Sequence, residues 1–245
     1  MKQVTLSKTT FSTLLRNAKL NEKIYVKISE NQFSARNIDF KNGTGLLDQT
    51  TKLHQRNEQF FKPYYVAIDI VLLSKALKAL KGEIVTILFD ESANMFQLTS
   101  NQISDNQHKF GDRFDYSTPE VVSKMNRKLV DKKNIELIIK LEQKVLSDLL
   151  TSAETLDSTV LLTVNNNTLT ARSCKIDGKN FVFTYNLSEV SAELEKRVYF
   201  GKFTKSIIST NEDEFCEMHF YPEFLVLIVK NEENITKELY LPLRK

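Results

Sequence analysis

The chain has 245 residues, 41% apolar and 27% charged, with only 6 glycines and 4 prolines. This is a globular composition with material for two ordinary domains, and it excludes collagen-like, linker-like and disordered classes. Its 34 basic and 31 acidic residues leave a net charge of +3, too slight to mark a nucleic-acid binder by bulk electrostatics.

In chain order, Val4 and Leu6 begin a strand, and Phe11, Leu14, Leu15 and Ala18, at i, i+3, i+4 and i+7, predict one face of a helix. Residues 24–28 alternate, Glu30-Asn31 turns, and residues 33–38 alternate again, which is a hairpin. A long polar loop is expected over residues 43–59. Then come a strand at 64–68, a helix at 70–80 stopped by Gly82, and strands at 84–89, 95–99 and 108–116, giving the order β-α-β-β-β-α-β-β-β. Ser117-Thr118-Pro119-Glu120 breaks the pattern. Residues 118–134, with five basic and two acidic side chains, read as an interdomain connector between domains at 1–117 and 135–245. The second half predicts a strand at 135–141, a helix at 144–155, a hairpin at 159–164 and 168–173, strands at 181–187 and 196–199, a helix at 201–209, and strands at 214–221, 224–230 and 236–242.

The two halves resemble each other. Residues 11–18 align with residues 146–153, and Ile24, Val26, Ile28, Phe33, Ala35 and Arg36 fall on Val160, Leu162, Val164, Leu169, Ala171 and Arg172. Residues 73–77 likewise match 203–207. Meanders of strands with two single helices per half predict an α+β fold with the helices collected on one face of antiparallel sheet.

Each amphipathic helix buries one stripe, so function is sought on the opposite one. Lys75, Lys78 and Lys81 stand three apart on the second helix, Lys202 and Lys205 occupy its counterpart, and Arg16 and Lys19 lie opposite the apolar face of the first. Two readings stay open. Such lysines can be a solvated surface, or they can form a non-specific phosphate-binding surface, since flexible point charges meet phosphates at many registers.

No enzyme signature is present. His54, His108 and His219 lack metal-ligand spacing, and there is no GxSxG, P-loop, HExxH or dinucleotide fingerprint, so neither catalysis nor a metal or other cofactor is expected. Glu212, Asp213 and Glu214 read as a solvated turn. Cys174 and Cys216, without CxxC spacing, make a reducing, intracellular location the default. Residues 1–10 lack a signal-peptide core, and the longest apolar runs, such as 224–229, fall far short of the roughly 20 residues of a membrane span.

Residues 73–78 with 83–88, residues 199–205, residues 224–228 and the terminal Leu239-Tyr240-Leu241-Pro242 together resemble the DNA polymerase sliding clamps, most closely the proliferating cell nuclear antigen type. The resemblance spans nearly the whole chain, and it rests on order, spacing and duplication more than on any single motif. It implies a homotrimeric ring with helices lining a hole through which double-stranded DNA passes without sequence recognition. It puts Lys19, Lys75, Lys78 and Lys205 at channel positions, to which helical geometry adds Arg16, Lys81 and Lys202. The third helix departs from the pattern, offering only Lys144 beside Asp148 and Glu154.

The resemblance also implies ring closure between edge strands. Phe110, Phe114 and Tyr116 in the first half and Phe181, Phe183 and Tyr185 in the second supply such strands, unless strands of the same chain cover them. It further implies that polymerase and clamp loader dock short peptides into a pocket of Leu46, Leu47, Met125, Leu129, Pro222, Tyr240, Leu241 and Pro242. Alternatively, these side chains merely pin the connector. The basic connector would favour acidic peptides. Action at replication sites follows, in a nucleus or, for a viral or phage protein, in host cytoplasm. A heterotrimeric checkpoint-type clamp, a viral clamp-fold transcription cofactor and a plain protein-interaction module remain as alternatives.

Overall fold

The computed structural model describes residues 1–16, 23–39, 45–53, 56–100, 110–113, 115–116, 118–156, 159–174, 181–188, 190–201, 204–208, 215–230 and 235–244. The chain divides into two compact units. One comprises Met1–Ile38, Asp48–Arg127 and Glu233–Ile235; the other comprises Asp39–Leu47, Lys128–Glu232 and Thr236–Lys245.

The first half runs β1 (Lys2–Ser7), α1 (Lys8–Arg16), β2 (Lys23–Ser29), β3 (Gln32–Asp39), β4 (Gly45–Lys52), β5 (Tyr64–Asp69), α2 (Ile70–Ala79), β6 (Ile84–Asp90), β7 (Met95–Ser100), β8 (Phe110–Arg113) and β9 (Asp115–Tyr116). A short helix, α3 (Pro119–Asn126), follows. The second half runs β10 (Leu137–Glu142), α4 (Gln143–Leu156), β11 (Thr159–Asn165), β12 (Thr168–Ser173), β13 (Val182–Asn186), β14 (Leu194–Tyr199), α5 (Thr204–Ile208), β15 (Phe215–Phe220), β16 (Phe224–Lys230) and β17 (Thr236–Arg244).

The topology is duplicated. In the first unit β1-β6-β7-β8 forms one antiparallel sheet, and the path β3-β2-β5-β9 forms another. In the second unit β10-β15-β16-β17 and β13-β12-β11-β14-β17 repeat these neighbours. The closing strand serves both sheets in each case. β8 pairs with β7 and β9 with β5, while residues 236–242 of β17 pair with β16 and residues 243–244 with β14.

One sequence expectation is corrected. Residues 45–52, expected within a polar loop, form β4, the counterpart of β13, so both halves follow βαββββαβββ. Its inward positions Leu47, Gln49 and Thr51 are buried, but two of the three are polar, which erased the apolar alternation. Gln49 is satisfied in place, its Nε2 donating to Leu14 O at 2.8 Å.

Local chemistry sets the helix starts. Ser7 Oγ accepts from Thr10 N (2.9 Å) at α1, Asp69 Oδ1 accepts from Val71 N (2.8 Å) and Leu72 N (3.0 Å) at α2, and Thr118 Oγ1 accepts from Val121 N (3.3 Å) at α3. The first helix of each unit also clasps the end of the second. Lys8 Nζ donates to Leu80 O in one unit, and Gln143 Nε2 donates to Ile208 O (3.0 Å) in the other. Each donor satisfies an orphan carbonyl at a helix C-terminus. On the sheet-facing stripes Phe11, Leu14 and Leu15 of α1 match Leu146, Leu149 and Leu150 of α4, all buried.

Gly45 opens β4 with φ +77°, and a Cβ there would lie 1.7 Å from Tyr240 O. Gly45→Ala is therefore expected to cost more than about 2 kcal/mol, through left-handed backbone strain and forced displacement of β17. Loss of amide protection at residues 239–242, read by hydrogen exchange, checks it; unchanged protection counts against it.

Candidate nucleic-acid interface and partner surfaces

Helix α2 has the two-faced geometry that its sequence predicts. Ile70, Leu73, Ala76 and Leu77 are buried, which leaves Lys75 and Lys78, three residues apart, on the exposed face. Val71 and Leu72 share that exposure at 53% and 38%. Lys81 requires a correction. The helix ends at Ala79 and Leu80 is extended (ψ 133°), so the exposed Lys81 follows the helix and does not continue its i, i+3 row. Arg16 closes α1. The Arg16 side chain, Lys19 and Lys202 fall outside the described residues.

In the second unit the basic surface is thinner. Lys205 is half-buried; its Nζ donates to Thr151 Oγ1 (2.6 Å), and its backbone N–H donates to Glu154 Oε1 (3.0 Å). Glu154 thus satisfies a backbone donor in the first turn of α5, which explains a carboxylate on a helix where the resemblance implies basic residues. Lys144 and Asp148 are exposed on the same helix and nearly cancel in charge.

Of the expected peptide-pocket residues, most are covered. Leu46 and Leu47 sit in β4 and Tyr240 and Leu241 in β17, all buried, with Tyr240 Oη donating to Glu238 Oε2. Pro222 is exposed and Pro242 half-buried. In the first unit Met125 is buried on α3, which packs against β2 and β5; Leu129, in the second unit, is half-buried. The connector's start is thus a helix fastened to the sheet, a feature its scattered apolar residues did not disclose.

The fastening centres on Arg36. Its Nε and Nη2 donate to the two oxygens of Asp48, both at 2.6 Å, and its Nη1 donates to Lys124 O (2.7 Å) and Arg127 O (2.8 Å) at the end of α3. Lys124 Nζ donates to Tyr25 Oη (2.7 Å) and pairs with Glu120 (2.7 Å). These bonds, that to Glu120 foremost, raise its pKa above the ordinary lysine value. Sequence reasoning noticed Arg36 only as part of the repeat. Asp48 carried no signal, because the strand holding it was read as loop.

The expected subunit-interface strands lie at sheet ends. β13, carrying the half-buried Phe183 and Tyr185 and preceded by Phe181, pairs only with β12 among the described residues. β8, with Phe110, pairs with β7, and β9, with Tyr116, pairs with β5; Phe114 falls outside the described residues.

Among the described residues no cluster of His, Cys, Asp or Glu could hold a metal ion. His219 Nε2 meets Glu217 Oε2 at 2.8 Å on the surface of β15, and burial pushes the Cys216 thiol up to about 12. His54, His108 and residues 212–214 fall outside the described residues. No described helix is long and apolar enough to cross a membrane.

A chain whose two halves each run βαββββαβββ is similar to known structures. It matches the proliferating cell nuclear antigen of Entamoeba histolytica with TM-score 0.75 and 16% identity over 99% of this chain and 98% of that one. The chain has the sliding-clamp fold. A second clamp of this type, the A. fulgidus protein bound to the C-terminal region of FEN-1, matches with TM-score 0.74 and 13% identity over 100% of this chain and 99% of that one. The DNA polymerase III β subunit of Pseudomonas aeruginosa matches with TM-score 0.72 and 12% identity, covering 98% of this chain but 64% of its own. No family model matches the sequence, and no curated protein matches it.

Proposed function

We propose that this protein is a sliding clamp that closes with two further copies into a ring around duplex DNA and tethers a polymerase there by topology. The observation that carries the reading is the internal duplication. Each half repeats the same strand neighbours and the same helix clasp, and a closed ring is built from such quasi-equivalent units. Near-complete coverage of clamps of the nuclear antigen type, against about two thirds of the bacterial subunit, supports three two-unit chains per ring. The exposed Lys75 and Lys78 and the partly bonded Lys205 would line the channel, with Arg16, Lys19, Lys81 and Lys202 as further candidates. They supply salt-sensitive contacts weak enough to let the ring move. The strand ends at β8–β9 and at β13 would meet head to tail, pairing two edges that have no further strand beside them among the described residues. Polymerase and clamp loader would approach by short peptides near Pro222, Pro242 and Leu129, with Leu46, Leu47, Met125, Tyr240 and Leu241 reached only on local opening.

The test has two parts. Light scattering is expected to give a trimer of the 28.3 kDa chain, about 85 kDa. Protein assembled on circular DNA is expected to survive gel filtration and to be lost once the circle is cut. A monomer at micromolar concentration, or equal loss from circular and cut DNA, overturns the reading.

A further inference from the structure

The duplication allows one unit to be used as a template for the other. In the first unit a row of residues crosses the sheet on the side where α3 packs: Arg36 on β3, Tyr25 on β2, Ala67 on β5 and Asp115 on β9. The matching row in the second unit is Arg172 on β12, Leu161 on β11, Arg197 on β14 and Arg244 on β17. The two rows differ in a consistent direction. Where the first carries Ala67 and Asp115, the second carries two further arginines.

They differ also in what lies on them. The first row is covered by α3, whose Val121 and Met125 are buried, and the Arg36 fork is filled by one carboxylate and two main-chain carbonyls. Among the described residues no counterpart of α3 lies over the arginines of the second row. Arg172, Arg197 and Arg244 are all exposed, and among the described residues their guanidinium contact is that of Arg244 over the Tyr199 ring, at 6.0 Å. Instead there is a cavity of about 450 Å³, lined by Leu161, Arg172, Val182 and Arg197 among others. Val182, directly opposite Arg172 on β13, is 71% exposed, while Leu161 between the two arginines is only 5% exposed.

We infer that this face of the second unit is a docking site for a short acidic amphipathic segment of a partner protein, seated as α3 is seated on the first unit. Its apolar side chains rest on the exposed Val182, and its carboxylates and terminal carbonyls fill the arginine forks. Arg172 and Arg197 lie two strands apart, about 10 Å, which matches carboxylates separated by one to two helical turns. Guanidinium forks take carboxylates bidentately, the geometry Arg36 already displays. A nucleic-acid backbone fits less well. Glu195 is exposed two residues from Arg197 on the same face of β14 and would repel a continuous polyanion, whereas a segment with two or three placed charges avoids it. The arginines lie on β12, β14 and β17, not on the β13 edge that the proposed ring would pair, so the test requires neither a ring nor DNA.

The probe is a fluorescein-labelled copy of residues 118–127 carrying Lys124→Glu and Arg127→Glu, added to the full-length protein and followed by anisotropy. Saturable binding is expected below 1 mM at low salt, a bound that marks weak specific association of about 4 kcal/mol. It should weaken about tenfold or more in Arg172→Glu/Arg197→Glu, as for charge-assisted contacts, and vanish when the acidic residues of the probe are changed to lysine. Both substituted side chains are exposed, and an unchanged circular dichroism spectrum shows that the variant is folded. Absence of saturable binding, equal binding to the variant, or tighter variant-sensitive binding of a labelled single-stranded oligonucleotide each overturns the inference.

Discussion

Reversing the charge at two positions, Lys75→Glu and Lys78→Glu, is expected to reduce retention on circular DNA by more than tenfold at low salt and to flatten its salt dependence. Each phosphate contact contributes about 0.9 to the slope of log affinity against log salt, so losing two contacts from an engaged subunit lowers that slope by about 2. The reversal adds repulsion to the loss. Folding should survive, because both side chains are exposed and make no ion pair among the described residues. The one local penalty is at Lys78, in the last turn of α2, where a carboxylate faces the negative helix end and costs about 0.5 kcal/mol. A filter or gel-filtration assay across a salt series reads both quantities. Unchanged retention with an unchanged slope would remove α2 from the DNA surface.

The same substitutions made in the second unit are expected to matter less. Lys205 already shares its ammonium with Thr151, and Asp148 offsets Lys144. On the proposed function, the grip on DNA would then be asymmetric between the two repeats of each chain. A ring of such chains would present alternating strong and weak segments, which suits a contact that holds DNA while the ring slides.

Much of this was legible in the sequence, and the reason is periodicity. The α2 stripe of Ile70, Leu73 and Leu77, the hairpin of β11 and β12, and the strands β15 to β17 follow apolar spacing almost residue for residue. The β11–β12 turn rests on Asn166 and Asn167 with φ 45° and 63°, the residue type best suited after glycine to that backbone. What escaped was whatever used polar groups inside. β4 hides its inward face behind Gln49 and Thr51. α3 has only Val121 and Met125 buried, too few for a helical stripe to stand out in a basic connector. The Arg36–Asp48 fork joins residues on different strands, and no local pattern encodes such a meeting. Lys81 was misplaced for a different reason: three-residue spacing carried the row past the helix end that Gly82 already signals.

Arg36→Ala is the substitution expected to cost most. Its side chain is 12% exposed and that of Asp48 21% exposed, and removing it takes two hydrogen bonds from a largely buried carboxylate and one from each of the carbonyls of Lys124 and Arg127. Breaking such a pair from one side costs about 3–5 kcal/mol, because the surviving charge stays desolvated. The first consequence is release of α3, whose hold on β2 then rests on the burial of Val121 and Met125 and on Lys124 Nζ at Tyr25. That last contact belongs to a group whose pKa is raised in the folded state, so it is present at neutral pH and fades only as pH rises through the raised value. Because two units need not unfold together, the loss is best read locally, by hydrogen exchange at amides 122–126, alongside urea unfolding. Arg36→Lys should recover part of the loss, since one ammonium cannot serve the carboxylate and both carbonyls at once. The decisive comparison is Arg172→Ala at the matching position of the second unit. With its guanidinium exposed and without a described partner, it should change stability by no more than about 0.5 kcal/mol. Equal costs at the two positions would mean that Arg172 is already occupied within the chain, and that the open row on the second unit has no vacancy for a partner.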